Sequence, residues 1–257
     1  MPATGSPSFA AALLVAAAPT VQAQNPEAAP TVLVILAHPD DELVFAPAIA
    51  AATRKGSSVT LVFATSGDAG PGVSGIERGA ALAERREAEA RCSGEALGVA
   101  EVRFLRFGDG TLADRARSAG EGARDLLGHI ERLLGSARPD VVVTWGPEGG
   151  YGHSDHRMIG AFTTQLLQSR SFGERPALLY PALVHAPLPE PLVSQGWATT
   201  AKDLSAIRLE YSDADLAASA AAVQCHQTQF DAATRAALVP GFHAAVWKGE
   251  VSFREAF

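Results

Sequence analysis

His38, Pro39, Asp40, Asp41 and Glu42 follow one another directly, and three adjacent carboxyl groups lie beside an imidazole. Like charges packed this closely raise one another's energy unless positive charge lies among them. A second cluster, His153, Ser154, Asp155 and His156, pairs the same side-chain types more than a hundred residues on. Imidazole nitrogen and carboxylate oxygen both bind zinc, and a catalytic zinc commonly takes three protein ligands and leaves a place for water. Two ligands from the first cluster and one from the second would satisfy that requirement. A neighbouring carboxylate would then be free to take a proton from water. A second reading stays open at this level. The acids also suit a solvated helix N-terminus, whose unpaired N–H groups favour negative charge. Two histidines three residues apart near a helix start are ordinary on a surface.

The elements that would bring the clusters together can be read from hydrophobic patterning. Thr31 to Leu36 is a continuous apolar run rich in β-branched residues and predicts a buried strand. Glu42 to about Thr53 predicts a helix, and Val59 to Ala64 a second strand, so the three form a compact βαβ unit of a parallel sheet. Ala80 to Leu97 predicts a helix closed by Gly98. Val102 to Arg106 predicts a short strand, Gly120 to Leu134 a helix, and Asp140 to Trp145 a third buried strand. Gly146 to Asp155 reads as a loop and His156 to Gln168 as a helix. Leu178 to Val184 predicts a strand, and Pro181 within it suits a sheet edge. Leu216 to Gln229 reads as helical, and Glu250 to Arg254 as a last strand. The expectation is a single Rossmann-like α/β domain over residues 31–257, a mostly parallel sheet flanked by helices. In such sheets ligands lie beyond the carboxyl ends of the strands, where the runs ending at Leu36 and Thr144 deliver the two clusters.

Composition narrows the function classes. The chain has 257 residues, 47 % hydrophobic and 19 % charged, with a formal net charge of -7. These values fit a globular domain, and the absence of a basic run argues against a nucleic-acid partner. Phe9 to Ala18 is apolar but too short to span a bilayer. With Val21-Gln22-Ala23 as a cleavage site, residues 1–23 read as a signal peptide and 24–30 as a linker, which predicts a secreted or periplasmic protein. No later stretch reads as a transmembrane helix. Cys92 and Cys225 could form one disulfide or remain two buried thiols, and two cysteines exclude a four-cysteine metal site. The glycines at 67, 70, 72, 75 and 79 match neither a dinucleotide fingerprint after the first strand nor a Walker A loop. His129, His185, His226 and His243 carry weaker signals.

Ala37-His38-Pro39-Asp40-Asp41-Glu42 resembles the signature of the PIG-L/LmbE-like family of zinc-dependent N-acetylglucosaminyl deacetylases. His153-Ser154-Asp155-His156 resembles the same family's second element, in the same order. Arg86 with Glu89, and His226-Gln227-Thr228-Gln229, resemble two weaker features, so the likeness extends over nearly the whole chain from residue 31. The resemblance implies that His38, Asp41 and His156 bind Zn2+, with Fe2+ as an alternative. It implies that Asp40 is the general base and that His153 stabilises the oxyanion or protonates the leaving amine. Asp155 would orient a histidine, Arg86 would contact substrate, and Glu42 would bond backbone or Arg86 rather than metal. The implied reaction is hydrolysis of an N-acetyl group from an amino sugar or glycoconjugate. The alternatives are an amide hydrolase on a non-sugar N-acyl amine and a non-catalytic metal-containing binding protein.

Overall fold

The computed structural model describes residues 29–117, 121–169, 175–184 and 188–257; the leader assigned to residues 1–23 and His185 lie outside them. In chain order the elements are β1 (Thr31–Leu36), α1 (Ala46–Arg54), β2 (Ser58–Thr65), α2 (Ala80–Leu97), β3 (Glu101–Phe107), α3 (Leu112–Arg117), α4 (Glu121–Ala137) and β4 (Val141–Thr144). There follow α5 (Gly149–Gly152), a single distorted turn, then α6 (Ser154–Ser169), β5 (Ala177–Pro181), α7 (Glu190–Ser194), β6 (Ile207–Glu210), α8 (Asp213–Cys225), α9 (Ala232–Phe242) and β7 (Glu250–Glu255).

The strands form one seven-stranded sheet in the order β3-β2-β1-β4-β5-β7-β6. β1 to β5 are mutually parallel, and β7 runs antiparallel to both β5 and β6. The expected α/β domain with a mostly parallel sheet is what forms. β1 lies in its interior, between β2 and β4, and Leu33 to Leu36 are apolar on both faces and all essentially inaccessible. Burying each such side chain is worth about 1.5–3 kcal/mol. Helices α1, α2 and α8 pack on one another over one face, and α3, α4 and α6 over the other. The chain leaves β1 toward β2 and leaves β4 toward β5, so the sheet order reverses between β1 and β4. That reversal opens a crevice at the strand ends, the usual ligand position in such sheets.

Several boundaries differ from the sequence reading. Asp41–Phe45 is a 3₁₀ turn, and the α-helix begins only at Ala46, with Pro47 in its first turn, where a missing N–H costs nothing. β5 is interior rather than an edge: Pro181 is its last residue, opposite Phe253, and pairing is carried on by the Ala182 N–H to Ser252. The edges are β3 and β6. The segment His226–Gln229 lies past the end of α8 in a turn, not on the helix.

Two ties fix α8. Cys92 and Cys225 form a disulfide between α2 and α8, with Cα atoms 5.7 Å apart and 133 residues between them in sequence. Closing so long a loop typically contributes about 2–5 kcal/mol. At the other end of α8, Ser212 and Asp215 form a reciprocal capping box, and Arg54 donates to both Asp215 oxygens at 2.8 and 2.9 Å. The Arg54 hydrogen bonds hold the Asp215 pKa well below the usual carboxylate range. A depressed carboxylate pKa stabilises the fold above the unfolded value, about 3.9, and that contribution disappears as pH falls toward the folded value. Asp215→Asn should therefore lower Tm at pH 7, and the gap from wild type should narrow by pH 2. Calorimetry over that range checks this, and a gap independent of pH would contradict it.

Candidate functional site

β1 ends at Leu36 and β4 at Thr144, and the loops that follow bring both clusters to the crevice. His38 Nδ1 lies 3.2 Å from His156 Nε2, and Asp41 Oδ1 lies 3.0 Å from His156 Nε2 and 3.9 Å from His38 Nδ1. The other atom of His156 and of Asp41 is hydrogen-bonded, and that of His38 faces two carboxylates. His156 Nδ1 donates to the Gly149 carbonyl at 3.2 Å. His38 Nε2 sits 3.0 Å from Asp109 and 3.4 Å from Asp155, close to both charges though not aligned for a linear hydrogen bond with either. Asp41 Oδ2 accepts from the N–H groups of Ala37 and His38, each at 3.0 Å, and from the Trp145 indole at 2.9 Å. These partners place the ring protons on the outward nitrogens, so His38 Nδ1, His156 Nε2 and Asp41 Oδ1 all turn lone pairs toward one point. All three residues are buried.

Three converging lone pairs are repulsive unless a proton or a cation lies between them, and this donor set fits a tetrahedral divalent ion with one open position. The electrostatics agree. Burial opposes charge on His38, yet Asp109, Asp155 and Asp41 outweigh it and raise its pKa well above the ordinary value. Burial likewise opposes ionisation of Asp41, but His156 and His38 hold its pKa well below normal. The site demands positive charge. His153 also brings a ring nitrogen within 4.8 Å of those of His38 and His156.

Asp40 stands beside this centre. Its backbone has φ 111° and ψ -19°, a left-handed conformation that costs a non-glycine residue about 1–3 kcal/mol and persists only when its surroundings enforce it. Three hydrogen bonds from two residues do so. Glu42 Oε2 accepts the Asp40 N–H at 2.9 Å, and Arg86 Nη2 donates to the Pro39 carbonyl at 2.6 Å and to Asp40 Oδ2 at 3.1 Å. The Asp40 side chain keeps 20 % exposure, toward the cavity. Burial pushes its pKa up to about 6, with Arg86 pulling down and Asp41 pushing further up.

Arg86 is placed differently from its expected substrate contact. It is 3 % exposed, and its other nitrogen donates to the carbonyls of Gly67 and Gly70, so the guanidinium joins the glycine-rich loop to the Asp40 turn. Gly67 is required there: its φ is +69°, and a Cβ would fall 2.2 Å from Arg86 Nη1. Glu42 bonds backbone as expected but does not meet Arg86. Its Oε1 accepts from Ser93 at 2.6 Å and His226 at 2.7 Å. Asp155, expected to orient a histidine, faces His38 and is fixed by the N–H groups of Gly110 and Leu112. His153 is half-buried, and its Nδ1 accepts the Asp155 N–H at 3.2 Å, which leaves the proton on Nε2. Burial first, then His38 and His156, lowers its pKa and keeps it neutral near pH 7.

Sequence reasoning missed Asp109 and Trp145. Trp145 directly follows β4 and Asp109 lies two residues past the end of β3, which was the available signal. Trp145 stacks flat on His156, with ring centroids 4.4 Å apart, while its N–H holds Asp41. A cavity of about 790 Å³ opens over the centre, walled chiefly by apolar and aromatic groups, among them Leu43, Tyr151, Trp197, Phe230 and Phe242.

The chain matches the family model described as GlcNAc-PI de-N-acetylase, PIG-L, over residues 33–167. A relative from Mycolicibacterium gilvum, 1D-myo-inositol 2-acetamido-2-deoxy-alpha-D-glucopyranoside deacetylase, is 30 % identical over 234 residues, which is 79 % of this chain and 82 % of that protein. Other relatives of that name align over shorter stretches, and the chain spans about half their length. Among solved structures, the N,N'-diacetylchitobiose deacetylase from Pyrococcus horikoshii superposes with a TM-score of 0.63 at 19 % identity, covering 88 % of this chain and 83 % of that one. GalB, a 4-carboxy-2-hydroxymuconate hydratase from Pseudomonas putida, superposes at 0.60 and 18 %, covering 89 % and 96 %. At such identities the structures establish a shared fold, and the hydratase shows that this fold carries more than one chemistry.

Proposed function

The chain belongs to the PIG-L family, and from that premise we propose that it is a metal-dependent N-deacetylase acting on an amino sugar or glycoconjugate. The observation that carries the reading is the convergence of His38 Nδ1, Asp41 Oδ1 and His156 Nε2 beside a separate carboxylate, Asp40, that opens on the cavity. Zinc is the first choice of ion, and Fe2+ suits the same nitrogen and oxygen donors. A divalent cation held there supplies Lewis acidity, which acidifies a water and polarises an amide carbonyl. Asp40 takes the water's proton as attack on the acetyl carbon proceeds. His153 offers its Nε2–H to the negative charge that grows on the acetyl oxygen. Asp40, by then protonated, or His153 delivers a proton to the departing nitrogen. Asp155 and Asp109 keep the His38 ring turned, and Arg86 keeps the Asp40 carboxylate aimed.

A second reading keeps this chemistry and changes the substrate: the apolar wall suits a non-sugar N-acyl amine as well as the face of a sugar ring. The export assignment also belongs to this proposal, with residues 1–23 as leader and a secreted or periplasmic destination; the Cys92–Cys225 disulfide supports an oxidising compartment. Protein purified from its native host tests both. One equivalent of metal, an N-terminus near Gln24, and acetate released from N-acetylated sugars are expected. Acetate from non-sugar N-acetyl amines alone would select the second reading, no hydrolysis of any acetylated amine would end both, and a chain beginning at Met1 would end the export assignment.

A further inference from the structure

Glu42 is fully buried, and no step of the proposed reaction uses it. Its two oxygens face opposite ways. Oε2 accepts the N–H of Asp40, and Oε1 accepts from Ser93 on α2 and from His226 just past α8. Ser93 and His226 are themselves inaccessible to solvent. Both oxygens of the carboxylate are thus used as acceptors, one on each side. Cys92 directly precedes Ser93, and Cys225 directly precedes His226. The disulfide therefore joins the two segments at the very residues beside the two donors.

We propose that Glu42, Ser93 and His226 are positioning residues that hold Asp40 in its left-handed conformation, and that the Cys92–Cys225 disulfide is the staple keeping the two donors in register. The proposal rests on the reading of Asp40 as the base only for its catalytic consequence; the positioning itself stands on geometry. Without a partner for its N–H, Asp40 has a lower-energy backbone available at negative φ, and its carboxylate would swing from the direction that Arg86 and the cavity define. A glutamine at position 42 has a single acceptor oxygen. It can serve the donors at Ser93 and His226 or the N–H of Asp40, but not both.

Amide hydrogen exchange followed by NMR tests this without any substrate. In Glu42→Gln, and in the double variant Cys92→Ser/Cys225→Ser, the Asp40 amide should exchange at least about tenfold faster relative to the amide of Ile35 in β1, a difference of about 1.4 kcal/mol in opening energy. His226→Ala should act alike, and His226→Gln, which retains an N–H donor, should recover much of the protection. Normalising to Ile35 removes any general loss of stability, and if Glu42→Gln fails to fold, the His226 pair decides. The activity arm uses acetate release from N-acetylglucosamine: kcat should fall about tenfold or more with KM and bound metal unchanged. Unchanged relative exchange at Asp40 in the Glu42 and His226 variants would overturn the positioning, and unchanged exchange in the cysteine variant alone would overturn the staple. If no acetylated sugar is turned over, the deacetylase reading fails, while the exchange result still decides the positioning.

Discussion

Asp40→Asn should keep its metal and lose about 10²- to 10⁴-fold in kcat, the usual worth of a positioned acid or base. That corresponds to about 3 to 5.5 kcal/mol of transition-state stabilisation. Asparagine preserves the shape, and its amide oxygen still accepts the Arg86 hydrogen bond made by Asp40 Oδ2, so the turn is retained. What disappears is the ability to take a proton. The metal stays because Asp40 is not among the three converging donors. Metal stoichiometry measured beside kcat and KM checks this. Full activity with the metal bound would show that another group takes the proton, and metal loss would show that Asp40 is itself a ligand.

Asp41→Asn should do the reverse, folding well and losing the metal. Three N–H donors, from Ala37, His38 and Trp145, converge on Oδ2, so the asparagine oxygen must occupy that position. Its NH2 then falls at the Oδ1 position and points at the lone pairs of His38 and His156, where it satisfies them with hydrogen bonds and displaces the cation. Loss of an outer partner of a metal ligand already weakens binding by about 10- to 100-fold, and a donor put in place of a ligand should exceed 100-fold. A cation that binds only the folded state raises Tm by mass action. Wild-type Tm should therefore rise with added Zn2+, while the variant's stays near that of chelated wild type. A variant that still responds to micromolar Zn2+ would remove Asp41 from the ligand set.

The fold and the meeting of the two His/Asp clusters at one rim were legible in the sequence because both rest on local signals. Uninterrupted apolar runs mark β1, β2 and β4, and the residues that follow such runs must emerge at the carboxyl edge of the sheet. Where the structure differs, the cause is non-local. Pro181 looked like an edge marker because proline cannot donate to a ladder, yet as the last residue of β5 it forfeits nothing. β6, four residues half exposed, has too short a pattern to stand out. Arg86 was expected to meet substrate because the family resemblance implies that role. Its acceptors are carbonyls of the glycine-rich loop and of Pro39, and no feature of the Arg86 segment announces them. Asp109 and Trp145 belong to neither motif, and only their three-dimensional contacts give them work.

The cavity over the centre divides by origin. Its chemical floor, from His38 to His156, lies wholly inside the 33–167 stretch matched by the family model, whereas Trp197, Phe230 and Phe242 of its wall come from residues beyond it. Inheritance can therefore act on the two parts separately. Substitutions at Trp197, Phe230 or Phe242 can change the shape of the cavity while His38, Asp41 and His156 stay in place, whereas His226, also beyond the matched stretch, remains tied to Asp40 through Glu42.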